Sequence, residues 1–247
     1  MWYEEPGDFR DESGTLVCGR CGRPKEDPLG FPIVHWHQVE DISAPEETPE
    51  ERAERIAGNR RRCFRGEFMG LSGCVRSEMA LDTPRELLGV IDAYVADFPA
   101  NRGIGRGLML FGPVGRGKTH AAACTCNMVL DGGWRCLMTS TRRIRSEVES
   151  RYGSLNAVLE SLCRNDLVVL DDLFRDRNTE AGNEAVFDVV DALYKMRVPT
   201  IVTTNMSRKA VWSPPDCIAA AVDRLRERCQ MVELPESLPN RRQMVLA

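Results

Sequence analysis

The stretch "GLMLFGPVGRGKTHAAA", residues 107–123, decides the fold. It opens with an apolar run, Leu108–Phe111, of strand length. It closes on "THAAACTCNMVL", an alanine-rich segment that reads as a helix. Between them, "GPVGRGKT" at 112–119 is a glycine-rich loop that matches a phosphate-binding pattern in full. Gly112, Gly115 and Gly117 let the backbone take angles closed to other residues and approach a phosphate closely. The N–H groups of the loop and the start of the next helix together favour an anion. Lys118 is expected to reach the β- and γ-phosphates of a nucleotide, and the Thr119 hydroxyl to bind Mg²⁺. The expected nucleotide contacts are Gly112, Pro113, Val114, Gly115, Arg116, Gly117, Lys118, Thr119 and His120.

Downstream, short apolar runs alternate with helical patterns. The expected strands are Leu108–Phe111, Arg135–Thr139, Leu167–Leu170, Thr200–Thr204 and Gln230–Leu234. Helices are expected near 118–131, 142–163 and 183–196. Buried strands separated by helices predict an α/β fold, a parallel sheet covered by helices on both faces. Two strands end in polar residues. "LVVLDDL" ends in Asp171 and Asp172. The first acid after such a strand holds Mg²⁺ in P-loop enzymes, and the second is placed to orient or deprotonate the attacking water. "PTIVTTN" ends in Thr203, Thr204 and Asn205, at the strand edge where open α/β sheets bind ligands.

Upstream lies a different kind of sequence. Residues 1–47 are rich in Gly, Pro and acids and read as coil and short turns. "TPEE" and "TPRE" each offer a helix start, with Thr48 and Thr83 as caps, Pro49 and Pro84 at the first helical position, and Glu51 and Glu86 reaching back. From the second start, Leu87, Ile91, Tyr94, Val95 and Phe98 share a face. The expected boundary is near residue 80, giving an N-terminal module over 1–80 and a P-loop domain over 81–247.

The whole chain has 247 residues and a net charge of −4, which excludes a chain basic throughout but not a local basic patch. No apolar run approaches the roughly 18 residues of a membrane helix, and the polar start "MWYEEPGDFRDE" is unlike a secretory signal. A cytoplasmic protein is expected. In that compartment ten cysteines are free thiols or metal ligands rather than disulfides. Cys18 and Cys21 in "CGRC" have the spacing that lets two thiolates share one Zn²⁺. Cys63 and Cys74 are expected to complete the site, with His35 and His37 as alternatives, and such a metal would supply folding energy to a module with little core. Arginines gather over 52–65 and again over 142–151, where Arg142, Arg143, Arg145 and Arg151 follow the second strand.

Taken in order, "GLMLFGPVGRGKTHAAA", "DLVVLDDL", "PTIVTTN" and "DRLRERCQMVEL" resemble the AAA+ ATPases. The closer likeness is to the DnaC/DnaI helicase loaders, including phage-type DnaC-like proteins, with an IstB-like core. The resemblance spans about residues 84–242. It implies that residues 112–119 are Walker A, Asp171 and Asp172 Walker B, and Asn205 sensor 1. Arg224 would be an arginine finger acting on ATP held by a neighbouring subunit, where a guanidinium stabilises the transferring phosphoryl group. Arg241 or Arg242 would match the family's trailing arginine. Catalysis would then rest on Lys118, Asp171, Asp172, Asn205 and Arg224. The chain departs from the pattern in Asp172, where many relatives have Glu, and in "VDALYKMRVP", where only Tyr194 remains of an expected Arg-Tyr pair.

The resemblance also implies that the cysteine-bearing N-terminal module docks on a replicative DNA helicase. The arginines of 142–151 would face single-stranded DNA, and the chain would self-associate through the ATP site. The leading expectation is an ATP-dependent helicase loader. The alternatives are a transposase helper ATPase of the IstB type and a zinc adaptor that does not hydrolyse nucleotide.

Overall fold

A computed structural model describes residues 9–10, 16–17, 47–79, 85–150, 155–174 and 180–240. The chain divides into two compact units, 1–49 and 50–247. In the first, β1 (Phe9–Arg10) pairs antiparallel with β2 (Leu16–Val17), Phe9 opposite Val17. The remaining N-terminal expectations, including Cys18, Cys21, His35 and His37, lie outside the described residues.

The second unit is built on a five-stranded sheet in the order β4-β5-β6-β3-β7, with every pairing parallel. The strands are β3 (Gly107–Phe111), β4 (Cys136–Ser140), β5 (Leu167–Asp171), β6 (Thr200–Thr204) and β7 (Cys229–Glu233). Each matches the expected run within one residue at either end. Because side chains alternate along a strand, the unbroken apolar runs feed two cores. Leu108, Leu110, Leu167 and Val169 join one, and Met109, Phe111, Val168 and Leu170 join the other. Full burial of such side chains contributes about 1.5–3 kcal/mol each.

The first core is covered by α1 (Pro49–Cys63), α2 (Arg85–Ala96), α3 (Phe98–Ile104) and α4 (Lys118–Asp131). Phe98 starts α3 rather than ending α2, and its ring packs edge-on against Tyr94 and Trp134. The second core is covered by α6 (Leu155–Cys163), α7 (Glu180–Lys195) and α9 (Asp216–Arg228), with α8 (Arg208–Trp212) adding Val211. The single helix expected over 142–163 is two, α5 (Thr141–Ser150) and α6.

Residues 50–79 pack with the P-loop unit, thirty residues before the expected boundary. The cause is legible in the contacts. Cys63, Phe64, Phe68, Cys74 and Met79 are buried in the first core beside α4. Asn127 on α4 donates to the Leu71 and Cys74 carbonyls at 3.0 and 3.1 Å. The arginines of α1 fasten it in place. Arg55 donates to the Gly133 carbonyl at 2.7 Å, and Arg60 pairs with Asn127 and Asp131.

Candidate functional site

The phosphate loop sits between β3 and α4. Gly112, Gly115 and Gly117 all have positive φ, at 130, 78 and 86°. At Gly112 a Cβ would lie 2.3 Å from the Leu234 carbonyl oxygen, so no larger residue fits. Lys118 is buried, and its ammonium donates to the Gly112 and Pro113 carbonyls at 2.7 Å each. A cavity of about 510 Å³ opens over the loop, within the range of nucleotide-sized sites. Val114, Gly115, Gly117, Lys118, Thr119 and His120 line it, with Asp172 and Asn205 opposite. Arg116 is not among the described residues that line it.

The acids are held by the neighbouring strand. Thr203 on β6 donates its hydroxyl to Asp171 Oδ1 at 2.7 Å and accepts the Asp172 N–H at 2.9 Å. Burial pushes the Asp171 carboxyl above the usual range, while hydrogen bonds from Thr203 and Thr119 work against that shift. A buried carboxylate beside the Thr119 hydroxyl is the donor set Mg²⁺ takes: hard oxygens, with room for the nucleotide's own. Asp172 has φ 52°, a left-handed conformation that costs free energy unless its surroundings fix it. Thr203 and Asn205 do so, the latter donating to Asp172 Oδ1 at 3.1 Å. The geometry therefore fits ATP and Mg²⁺ at this site, with Lys118 and the loop N–H groups on the phosphates and Thr119 and Asp171 on the metal. Mg²⁺ would neutralise phosphate charge there. Asp172 and Asn205 line the same cavity, joined by their hydrogen bond.

A second cavity of about 550 Å³ adjoins the first and shares Thr119 and Asp172 with it. Glu67, Ser140, Thr141, Arg142 and Asp171 also line it. Ser140 donates to Glu67 at 2.7 Å, and Arg143 donates to the Arg65 carbonyl at 2.7 Å and to Glu147 at 3.2 Å. Glu67 carried no sequence signal. It lines a cavity with Asp171 and Asp172 only because residues 66–79 fold onto this unit.

Among the described residues lining the P-loop cavity there is no arginine. Arg224 lies on α9 against α7. Its Nε donates to Asp191 Oδ1 at 2.7 Å, and its guanidinium stands 4.6 Å over the Phe187 ring. Tyr194, the surviving half of the expected pair, stacks with Arg224 and Arg228 and donates to Glu227. Arg241 and Arg242 lie outside the described residues, as does Arg151.

Of the expected zinc ligands, Cys18 and Cys21 lie outside the described residues, and Cys63 and Cys74 lie in the second unit. Cys63 Sγ lies 3.4 Å from Cys126 Sγ, deep in the first core. Cys74 is committed elsewhere, its Sγ 3.5 Å from His120 Nδ1. Each thiol was drawn into the P-loop unit with residues 50–79.

The sequence of the P-loop unit and its fold find counterparts in known proteins. The family model of IstB-like ATP binding proteins matches residues 104–244. The chain belongs to this family. The IstB-like chain is 32% identical over 135 residues to a putative insertion sequence ATP-binding protein of Sinorhizobium fredii, covering 53% of this chain and 45% of that relative. It thus spans under half of the relative's length. In fold it is similar to the crystal structure of the DnaC helicase loader, with TM-score 0.58 and 23% identity over 66% of this chain and 98% of the other. It is also similar to DnaI, at 0.56 and 19% over 70% and 92%. A putative primosome component from Streptococcus pyogenes gives 0.59 and 15% over 72% and 94%. The fold is that of the AAA+ ATPases. Among the described residues no helix is long and apolar enough to cross a membrane.

Proposed function

We propose that this chain is an ATP-dependent loader of a replicative DNA helicase, which holds single-stranded DNA and hydrolyses ATP slowly, as a switch. One observation carries the reading. The Walker B acids and Arg142, at the start of the arginine-bearing α5, line one cavity. A change in charge at the nucleotide is felt where α5 begins. Arginines on such a helix bind phosphates without reading sequence. In this reading ATP assembles the subunits side by side, and Arg224 of one chain completes the site of the next. The N-terminal unit, over residues 1–49, engages the helicase, with Cys18 and Cys21 as ligands of a zinc that folds it.

A second reading, a transposase helper ATPase, is favoured by the 32% identity to an insertion sequence ATP-binding protein. Affinity capture separates the two. The tagged chain, with ATP, is mixed in turn with the replicative helicase of its host and with an insertion-sequence transposase. The loader reading expects a helicase complex that Lys118→Ala weakens at least about tenfold. A complex with the transposase alone overturns it.

A further inference from the structure

At one wall of the nucleotide cavity, two segments far apart in sequence bring together metal-binding side chains. His120 and Cys124 are four residues apart on α4, so they share one face of the helix. Cys74 and Glu78 approach from the segment that precedes α2. The ligand atoms of Cys74, His120 and Cys124 all lie within 4.8 Å of one another. His120 Nε2 is 3.5 Å from Cys124 Sγ and 3.9 Å from Glu78 Oε2. Cys74 and Cys124 are buried, His120 is half-buried, and Glu78 opens to solvent. We propose that Cys74, His120 Nε2, Cys124 and Glu78 form a zinc site that pins the segment over residues 66–79 to α4.

The donor set is of the kind zinc takes. Two thiolates, one imidazole and one carboxylate are all ordinary Zn²⁺ ligands, and four of them close a tetrahedron. Zn–S and Zn–N bonds of about 2.3 and 2.0 Å place neighbouring ligand atoms roughly 3.3–3.8 Å apart. The 3.5 and 3.9 Å separations of Cys124 and Glu78 from Nε2 are close to this, while Cys74, whose Sγ lies 3.5 Å from Nδ1, must shift along the ring edge toward Nε2. The metal would replace weak thiol contacts, among them the 3.3 Å hydrogen bond from Cys124 to the Val75 carbonyl.

The position gives the site its meaning. His120 follows Thr119 directly, and both His120 and Glu78 line the nucleotide cavity. Zinc here would fix the first turn of α4, from which Lys118 and Thr119 reach toward the nucleotide. Metal and nucleotide would then be coupled, each strengthening the binding of the other. This inference stands apart from the loader reading, since neither helicase nor DNA enters it.

The test uses the full chain carrying Cys18→Ser and Cys21→Ser, which removes the N-terminal pair and leaves the P-loop unit untouched. The protein is prepared under reductant with zinc, and its metal content and zinc X-ray absorption are measured. One equivalent of zinc bound by two sulfur and two nitrogen or oxygen neighbours is expected. Adding Cys74→Ser or Glu78→Gln should weaken zinc binding at least about tenfold. Glu78→Gln alters an exposed side chain, so it keeps the test decisive if the buried serine unfolds the chain. No zinc in the double variant, or a site of three or four sulfurs, overturns the proposal, as does zinc binding unchanged by Glu78→Gln.

Discussion

Thr203 holds Asp171 and Asp172 at once: its hydroxyl donates to the Asp171 carboxylate at 2.7 Å and accepts the Asp172 backbone N–H at 2.9 Å. One side chain on β6 thus sets the rotamer of the expected Mg²⁺ ligand and the left-handed backbone of the residue after it. Thr203→Val keeps the shape and removes both bonds. Leaving the buried carboxyl without its donor costs about 1–3 kcal/mol, readable as a shift in the urea unfolding midpoint. Turnover is expected to fall while nucleotide still binds, and Thr203→Ser to restore most of both.

Asp171 makes the site sensitive to acid in a direction that can be worked out. Its carboxyl is raised, first by burial, so the proton stays on to higher pH than at an ordinary aspartate. Mg²⁺ takes the carboxylate, so Mg²⁺-dependent nucleotide affinity falls as pH drops through that raised value. The stability of the nucleotide-free protein runs the other way. The contribution of this group is fully present below its unfolded value and is lost as pH rises through the folded one. Fluorescent-nucleotide titrations with and without Mg²⁺ across the acid range check the first. Asp171→Asn should abolish the pH-dependent difference between them.

The main strands and the nucleotide loop were legible because their signals are local. An apolar run, a glycine pattern and a following helix need no partner to be read. The positions of Asp171, Asp172 and Asn205 were legible for the same reason, each at the end of such a run. What was hidden depends on contacts distant in sequence. Residues 50–79 read as part of an N-terminal module because the helix start at Thr83 looked like the entry to the P-loop domain. In the structure the apolar neighbours Phe64, Phe68 and Met79 carry Cys63 and Cys74 into the P-loop core instead. Glu67 beside Asp171, and Cys74 beside His120, follow from that packing alone.

Arg224 is held by Asp191, whose carboxyl lies below the usual range because Lys195 and then Arg224 hydrogen-bond to it. A finger that serves a neighbouring subunit should be dispensable for its own chain's site. Arg224→Ala and Lys118→Ala are each expected to lose nearly all turnover. Mixed in equal amounts they should regain part of it, since some interfaces pair an intact loop with an intact arginine. An inactive mixture would place the function of Arg224 within its own chain.

The Cys63 thiol is pushed well above its ordinary range, first by its contact with Cys126 and then by burial. Cys126 and Cys136 are raised as well. These thiols should resist alkylation in the folded chain, while exposed Cys217 reacts early. Timed labelling followed by peptide mass spectrometry reads the order. Cys63→Ser buries a hydroxyl in the same core and should cost about 1–3 kcal/mol.

The most direct measurement is ATP turnover by the full chain with helicase and single-stranded DNA present, set beside Asp172→Asn. Asp172 and Asn205 face the phosphate loop across one cavity. Slow turnover by the native chain, reduced about 100-fold or more by the substitution, is the predicted result. Equal inactivity of the two proteins would contradict an ATPase switch at this site.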